Sequence, residues 1–189
     1  DVFLSAKGKP DEDHDRVRVY VVILLAKVAE RFSLEDPRRA TLLKSLDATL
    51  RTPSQSVQSP VSDAMSLLFP SISFDLASSH LEAFMDRMTR GSSLAIRRGA
   101  AFGLGALIKG RGSHFVIRER NVLDRICAVL QDKASSLEAK QGGLFGLELL
   151  ARSMGRCFEP YIVKLLDVLI AVFSDGRTEV REASLEAAQ

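Results

Sequence analysis

An aliphatic residue followed by a basic one, with small residues after it, recurs along this chain near the start of a helical pattern. The instances are Val17-Arg18, Ile96-Arg97, Ala139-Lys140 and Val180-Arg181, with Val57-Gln58 as a weaker member. Their starts at 17, 57, 96, 139 and 180 lie 40, 39, 43 and 41 residues apart. This period constrains the fold more than composition does. A unit of about 40 residues holds two helices and cannot bury both of its apolar faces alone, so neighbouring units must stack and share one core. In such a stack the aliphatic member of each pair is expected to point inward and the basic member to stay at the rim.

Periodicity within the units predicts helix after helix and no strand. Asp36-Pro37 reads as an N-cap with proline at the first helical position. Thr52-Pro53-Ser54-Gln55 reads as a capping box. Helices follow over Leu76–Arg90, Ser93–Lys109, Val122–Gln131, Ser136–Met154 and Pro160–Phe173, and a last one starts at Glu179. Ile162, Leu165, Leu166, Leu169, Val172 and Phe173 form one apolar stripe. Gly99, Gly103 and Gly105, then Gly142, Gly143 and Gly146, cost helix propensity of about 1 kcal/mol each and are expected where helix axes approach closely. Pro60 is expected to kink its helix. The fold expected is all-α, a HEAT/armadillo-type α-α superhelical solenoid of about four and a half repeats, with residues 1–189 as a single solenoid fragment. Asp1-Val2-Phe3-Leu4 reads as the last turn of an earlier helix, and Glu179–Gln189 has no closing Gly, Asn or Pro. Both ends read as cuts from a much longer chain.

The chemistry that the sequence points away from is broad. The longest unbroken apolar run, Val19 to Ala26, is too short to span a bilayer. Two cysteines, Cys127 and Cys157, make no disulfide framework and fit a reduced interior. Gly99–Gly112 lacks the G-x-x-x-x-G-K-[ST] order of a phosphate loop. His14, His80 and His114 stand far apart, without metal-ligand spacing. No catalytic constellation emerges; the chain is expected to be no enzyme and to take no cofactor, metal or small-molecule substrate.

Charge is distributed unevenly. Residues 86–125 carry nine basic and three acidic residues, an excess of +6, whereas the rest of the chain sums to −4 within a net charge of +2. Eight of the nine are arginine, which suits bidentate contacts to phosphate or carboxylate. Arg97, Arg98, Lys109, Arg111, Arg118 and Arg120 are the candidate contacts for an acidic partner or nucleic acid. The competing reading assigns the same charges to a solvated rim and repeat-to-repeat ion pairs.

Several stretches together resemble one known segment. They are Arg97-Arg98-Gly99-Ala100-Ala101-Phe102-Gly103-Leu104 with Lys109-Gly110, Gly155-Arg156-Cys157-Phe158-Glu159-Pro160-Tyr161-Ile162-Val163, Phe173-Ser174-Asp175, Val180-Arg181-Glu182-Ala183 and Thr52-Pro53-Ser54-Gln55-Ser56-Val57-Gln58. In this order they resemble the elongation-factor-3-like HEAT segment of the general-control-nonderepressible translational activator family. The chain departs from that pattern at Ala139-Lys140-Gln141-Gly142-Gly143, where the family usually has Arg-Arg-Glu-Gly-Ala, and at Pro60. The resemblance implies a non-catalytic, cytoplasmic scaffold that lies along ribosomes and helps activate the initiation-factor-two kinase during amino-acid starvation or ribosome stalling. It implies contacts to ribosomal RNA phosphates or acidic ribosomal proteins, and to other translational-control proteins through the full-length scaffold. A HEAT adaptor for other proteins, or the HEAT arm of an elongation-factor-3-like ATPase, are the alternatives.

Overall fold

The computed structural model describes residues 12–33 and 36–187. Among these, nine α-helices follow one another: α1 (Glu12–Glu30), α2 (Pro37–Thr49), α3 (Gln55–Ser66), α4 (Phe74–Arg90), α5 (Leu94–Arg111), α6 (Val122–Gln131), α7 (Leu137–Met154), α8 (Glu159–Phe173) and α9 (Thr178–Ala187). Asp1–Leu4 and the last two residues, where the sequence reads as interrupted helix, lie outside the described residues. The odd-numbered helices stack in order, α1 on α3, α3 on α5, α5 on α7 and α7 on α9, and each even-numbered helix packs on the odd one that follows it. Four helix pairs and one additional helix result, which is the all-α HEAT solenoid. Each recurring residue pair from Val57-Gln58 onward falls in the first turn of an odd helix.

Local chemistry sets most of the helix starts. Asp36, Ser73, Ser93 and Ser136 accept hydrogen bonds from the backbone N–H groups of Arg38, Leu76, Ile96 and Ala139. Each cap satisfies a donor that the first turn leaves without a helical acceptor, worth about 1 kcal/mol. The capping box expected at Thr52 does not form: Ser54 is the N-cap residue, its hydroxyl meets that of Ser56 at 2.7 Å, and α3 starts at Gln55. Pro60 lies inside α3, and the helix runs on through it to Ser66.

One core runs the length of the stack, and its fully buried members include Phe69, Phe84, Leu81, Met88, Leu104, Leu107 and Ile126. Two glycines set the spacing between units. A Cβ on Gly99 would stand 1.9 Å from the Leu50 carbonyl oxygen, and one on Gly142 would stand 1.7 Å from that of Met88. The equivalent turn of successive odd helices therefore rests on the carbonyl end of the even helix one unit earlier. Apolar periodicity overstates burial on α8. Leu165, Val168 and Val172 are buried, whereas Ile162 and Leu166 of the expected stripe stand about half exposed beside Val163 and Ile170. The stripe is wider than the surface that α6 and α9 present to it.

Candidate functional site

The structure reverses one expectation about the recurring pair. At Ile96-Arg97 and Ala139-Lys140 the second member is the more buried one, Arg97 and Lys140 each 5% exposed beside half-buried Ile96 and Ala139. Val57 and Gln58 are both buried, and Val180 is buried with Arg181 half-buried, as expected. The reason lies in the turns. Helix ends leave carbonyl oxygens without partners, and stacking buries them, so a long side chain with N–H donors is needed there. Gln58 Nε2 lies 2.8–2.9 Å from the carbonyls of Leu50, Thr52 and Ala95, which share its two N–H groups, and its Oε1 accepts from Arg98 Nε. Arg97 donates to the Gly91 carbonyl and to Gln141 Oε1. Lys140 Nζ reaches Asp175 Oδ2 at 2.9 Å in the next turn, and Arg181 donates to the Asp175 carbonyl. A polar ladder thus joins the odd-numbered helices at one edge of the stack.

Burial lowers the Arg97 pKa from the ordinary arginine value, and its Nε has no hydrogen-bond partner. Hydrogen bonds from Arg177, and then from Lys140, hold the Asp175 carboxyl well below the usual carboxylate range.

Most other cations of the 86–125 segment find partners about one repeat earlier. Arg87 grips Asp47 with two hydrogen bonds of 2.6 and 3.1 Å, each side chain 17% exposed. Arg125 grips Glu82 with bonds of 2.7 and 2.9 Å and lowers its pKa. Lys109 pairs with Asp63 at 2.7 Å, at the surface. Between α8 and α6, Lys164 pairs with Asp124 in the same way. The three acids Asp47, Asp63 and Glu82 lie outside the segment in sequence and against it in space, so part of the +6 excess is answered by the neighbouring unit.

The six candidate contacts do not form one patch. Arg97 and Arg98 stand at the first turn of α5 and bond within the stack; Lys109 and Arg111 stand at its last turn, some 20 Å away at 1.5 Å per residue. Arg120 lies near that far end. Of Arg118 only the backbone is described; its side chain lies outside the described residues.

The far end has its own construction. Gly112, with φ 89°, ends α5, and residues His114–Glu119 make a wide π-helical turn. Asn121, with φ 49°, then starts α6. The turn buries Phe115, whose ring meets Phe74 edge-on at 5.3 Å. The Arg111 guanidinium lies 5.7 Å from the Phe115 centroid, and that of Arg120 lies 5.8 Å from it and 4.9 Å from that of Phe74. Arg120 also donates to the Ser78 hydroxyl. Sequence reasoning selected the arginines here but not Phe74 and Phe115, whose separation in the chain hides their contact. It also missed Arg39, buried in α2, which donates to Ser71 and to the carbonyls of Ala29, Phe32 and Leu67 and so ties the ends of α1 and α3 together. Among the described residues no group of three His, Cys, Asp or Glu side chains is arranged to hold a metal, and no helix is long and apolar enough to cross a membrane.

Residues 97–189 match the family described as EF3 N-terminal HEAT repeat. The chain is 34% identical over 123 residues, 65% of its length, to the "Stalled ribosome sensor GCN1" of Homo sapiens. It is 32% identical over 135 residues, 70% of its length, to the "eIF-2-alpha kinase activator GCN1" of Dictyostelium discoideum. The chain is a GCN1-like HEAT segment. It is also 33% identical over 110 residues to "Protein ILITYHIA" of Arabidopsis thaliana. The GCN1-like segment spans only 4–5% of the length of these relatives. An engineered protein of known structure aligns over 98% of the segment and 76% of its own chain, with a TM-score of 0.41 and 15% identity, and adds nothing to this assignment.

Proposed function

We propose that this segment is part of a non-catalytic, cytoplasmic scaffold that docks on ribosomes and helps activate the kinase of initiation factor two alpha when ribosomes stall or amino acids run short. The observation that carries this reading is the likeness to relatives named as a stalled ribosome sensor and as an eIF-2-alpha kinase activator, extending over about two thirds of the chain. The segment supplies a stacked surface, and ribosomal RNA phosphates or acidic ribosomal proteins are the partners its basic end suits. Within the six candidates the roles divide. Arg97 and Arg98 bond inside the stack and hold the units in register. Lys109, Arg111, Arg118 and Arg120 meet the partner. The surface pair of Lys109 with Asp63 costs little to exchange for a phosphate, since exposed pairs contribute at most about 1 kcal/mol.

The test is ribosome co-sedimentation of the full-length scaffold across a salt series, with Lys109, Arg111 and Arg118 reversed to Glu. The variant should bind more weakly and with a shallower dependence on salt. Unchanged binding and slope would exclude these side chains as contacts. Phosphorylation of initiation factor two alpha, followed in the same cells under starvation, reports whether docking is needed for kinase activation.

A further inference from the structure

The Gly112–Asn121 corner combines features that the ion-pair ladders elsewhere do not. Among the described residues neither Arg111 nor Arg120 forms an ion pair with a carboxylate; Arg120 stands close enough to Glu82 to help lower its pKa, but Arg125 clamps that carboxylate. Both guanidiniums lie over phenylalanine rings, which orients them without using up their N–H donors. Arg120 spends one of those donors on Ser78, and its Nε is buried without an acceptor. Phe74 remains 46% exposed, with Arg120 over one face of its ring and Leu76, two residues further along α4, 37% exposed beside it. A carboxylate-rich protein surface would answer the two arginines and leave the open ring against water. A single-stranded nucleic acid answers both, because an unpaired base offers a flat π-face and its flanking phosphates offer anionic oxygens. A duplex keeps its bases stacked and presents only phosphates.

We infer that this corner is a seat for single-stranded RNA, with an unpaired base stacked against Phe74 and its adjacent phosphates held by Arg111 and Arg120. The inference deepens the proposed ribosome contact and rests on that reading only for the source of the RNA. The seat is a matter of stacking and charge, so it has no sequence preference built into it. The wide turn serves it by placing Phe115 under both guanidiniums at once.

The experiment is fluorescence anisotropy of the 189-residue chain with a labelled, mixed-sequence single-stranded RNA of about 12 nucleotides, within the usual range for such sites. The duplex of the same sequence and a polyglutamate peptide serve as competitors. The single strand should bind roughly tenfold or more tightly than either, on the strength of base stacking. Phe74→Leu, which keeps apolar volume and removes the π-face, should weaken binding by roughly 5- to 100-fold, and Phe74→Tyr should keep it within about twofold of the parent. Arg111→Gln should weaken binding to single strand and duplex alike and reduce the salt slope by about one. Circular dichroism melts of each variant establish that the helices remain.

Equal affinity for duplex and single strand overturns the inference, as does a Phe74→Leu variant that is folded and binds as the parent does. Tighter binding of polyglutamate assigns the corner to an acidic protein instead, and also overturns it. The ribosome reading fails separately. In that case Phe74-dependent RNA binding persists, while reversal of Lys109, Arg111 and Arg118 leaves ribosome co-sedimentation unchanged.

Discussion

The Lys140 ammonium sits 2.9 Å from Oδ2 of Asp175, with 7% and 12% of the two side chains exposed, and so joins α7 to the turn that precedes α9. Asp175 also accepts from the Arg177 backbone N–H and guanidinium, which fixes the carboxylate within the turn. Removing the carboxylate charge leaves a buried ammonium without its counter-ion. Asp175→Asn should therefore destabilise the chain by about 2–4 kcal/mol, read as a shift of the urea midpoint at neutral pH.

The same pair sets a dependence on acid. The Asp175 carboxyl titrates lower in the folded chain than its ordinary value of 3.8, chiefly through Arg177 and then Lys140. Its contribution is complete above that ordinary value and is lost as pH falls below it toward the folded value. The parent should lose stability on acidification below about pH 4, and Asp175→Asn should lose less over that range, since it has already forfeited the contribution. Melting temperatures between neutral pH and pH 2 measure both curves; parallel curves would remove Asp175 from the acid response.

Gly99 and Gly142 invert the usual consequence of replacing glycine in a helix. At an open position alanine would favour the helix by about 1 kcal/mol. Here the added methyl meets the carbonyl of Leu50 or of Met88 at under 2 Å, and helix backbone cannot yield as a side-chain tip does. Gly99→Ala and Gly142→Ala should each destabilise by about 2–4 kcal/mol net, from forced separation of the units. Urea unfolding gives the sign directly; a stabilised variant would contradict the close approach.

Gln58 occupies the ladder position that Arg97 and Lys140 fill in later units, and Arg98 explains the difference. Its guanidinium donates to Gln58 Oε1, so this rung needs an acceptor as well as donors. Gln58→Arg, though it copies the later repeats, should place two guanidiniums together and lower stability. Gln58→Leu should cost about 2–3 kcal/mol by leaving the Leu50, Thr52 and Ala95 carbonyls without this donor. Thermal melts of the two variants beside the parent test the rung, and a neutral Gln58→Arg would refute it.

The outer ion pairs should differ in weight according to burial. Both pairs are bonded twice, but the Arg87 and Asp47 side chains are each 17% exposed, whereas those of Arg125 and Glu82 are 38% and 56% exposed. Arg87→Ala should destabilise by about 1–3 kcal/mol, and Arg125→Ala by no more than about 1 kcal/mol. Added salt should weaken the second pair more than the first. Equal effects of the two substitutions would show that burial is not what separates them.

Several helix boundaries were legible in the chain because the signals are local. Ser93 and Ser136 cap the helices expected to begin there, Asp36-Pro37 opens α2, and Val122–Gln131 is helical from end to end. The glycines at 99 and 142 marked close approach correctly, since their position in consecutive units repeats. Thr52 failed as a cap because the helix starts two residues later than the motif suggests. The charge excess was read from sequence without the acids that answer part of it, since Asp47, Asp63 and Glu82 precede the segment and face it only once the units stack.

Apolar period and caps are properties of neighbouring residues and specified the helices, and the 40-residue recurrence, visible in the amino-acid order, specified that units of two helices stack. Whether a cation lies in that stack or at its rim depends on which orphaned carbonyls and carboxylates arrive from the next unit. Arg97 and Arg111 belong to the same basic segment, but stacking brings Arg97 against Gln141, as it brings Lys140 against Asp175, whereas the turn after α5 sets Arg111 on Phe115. Gln141 and Asp175 arrive from the next unit, whereas Phe115 comes from the turn that directly follows α5. Folding of that turn, together with packing of one repeat on the next, determined what each charge does.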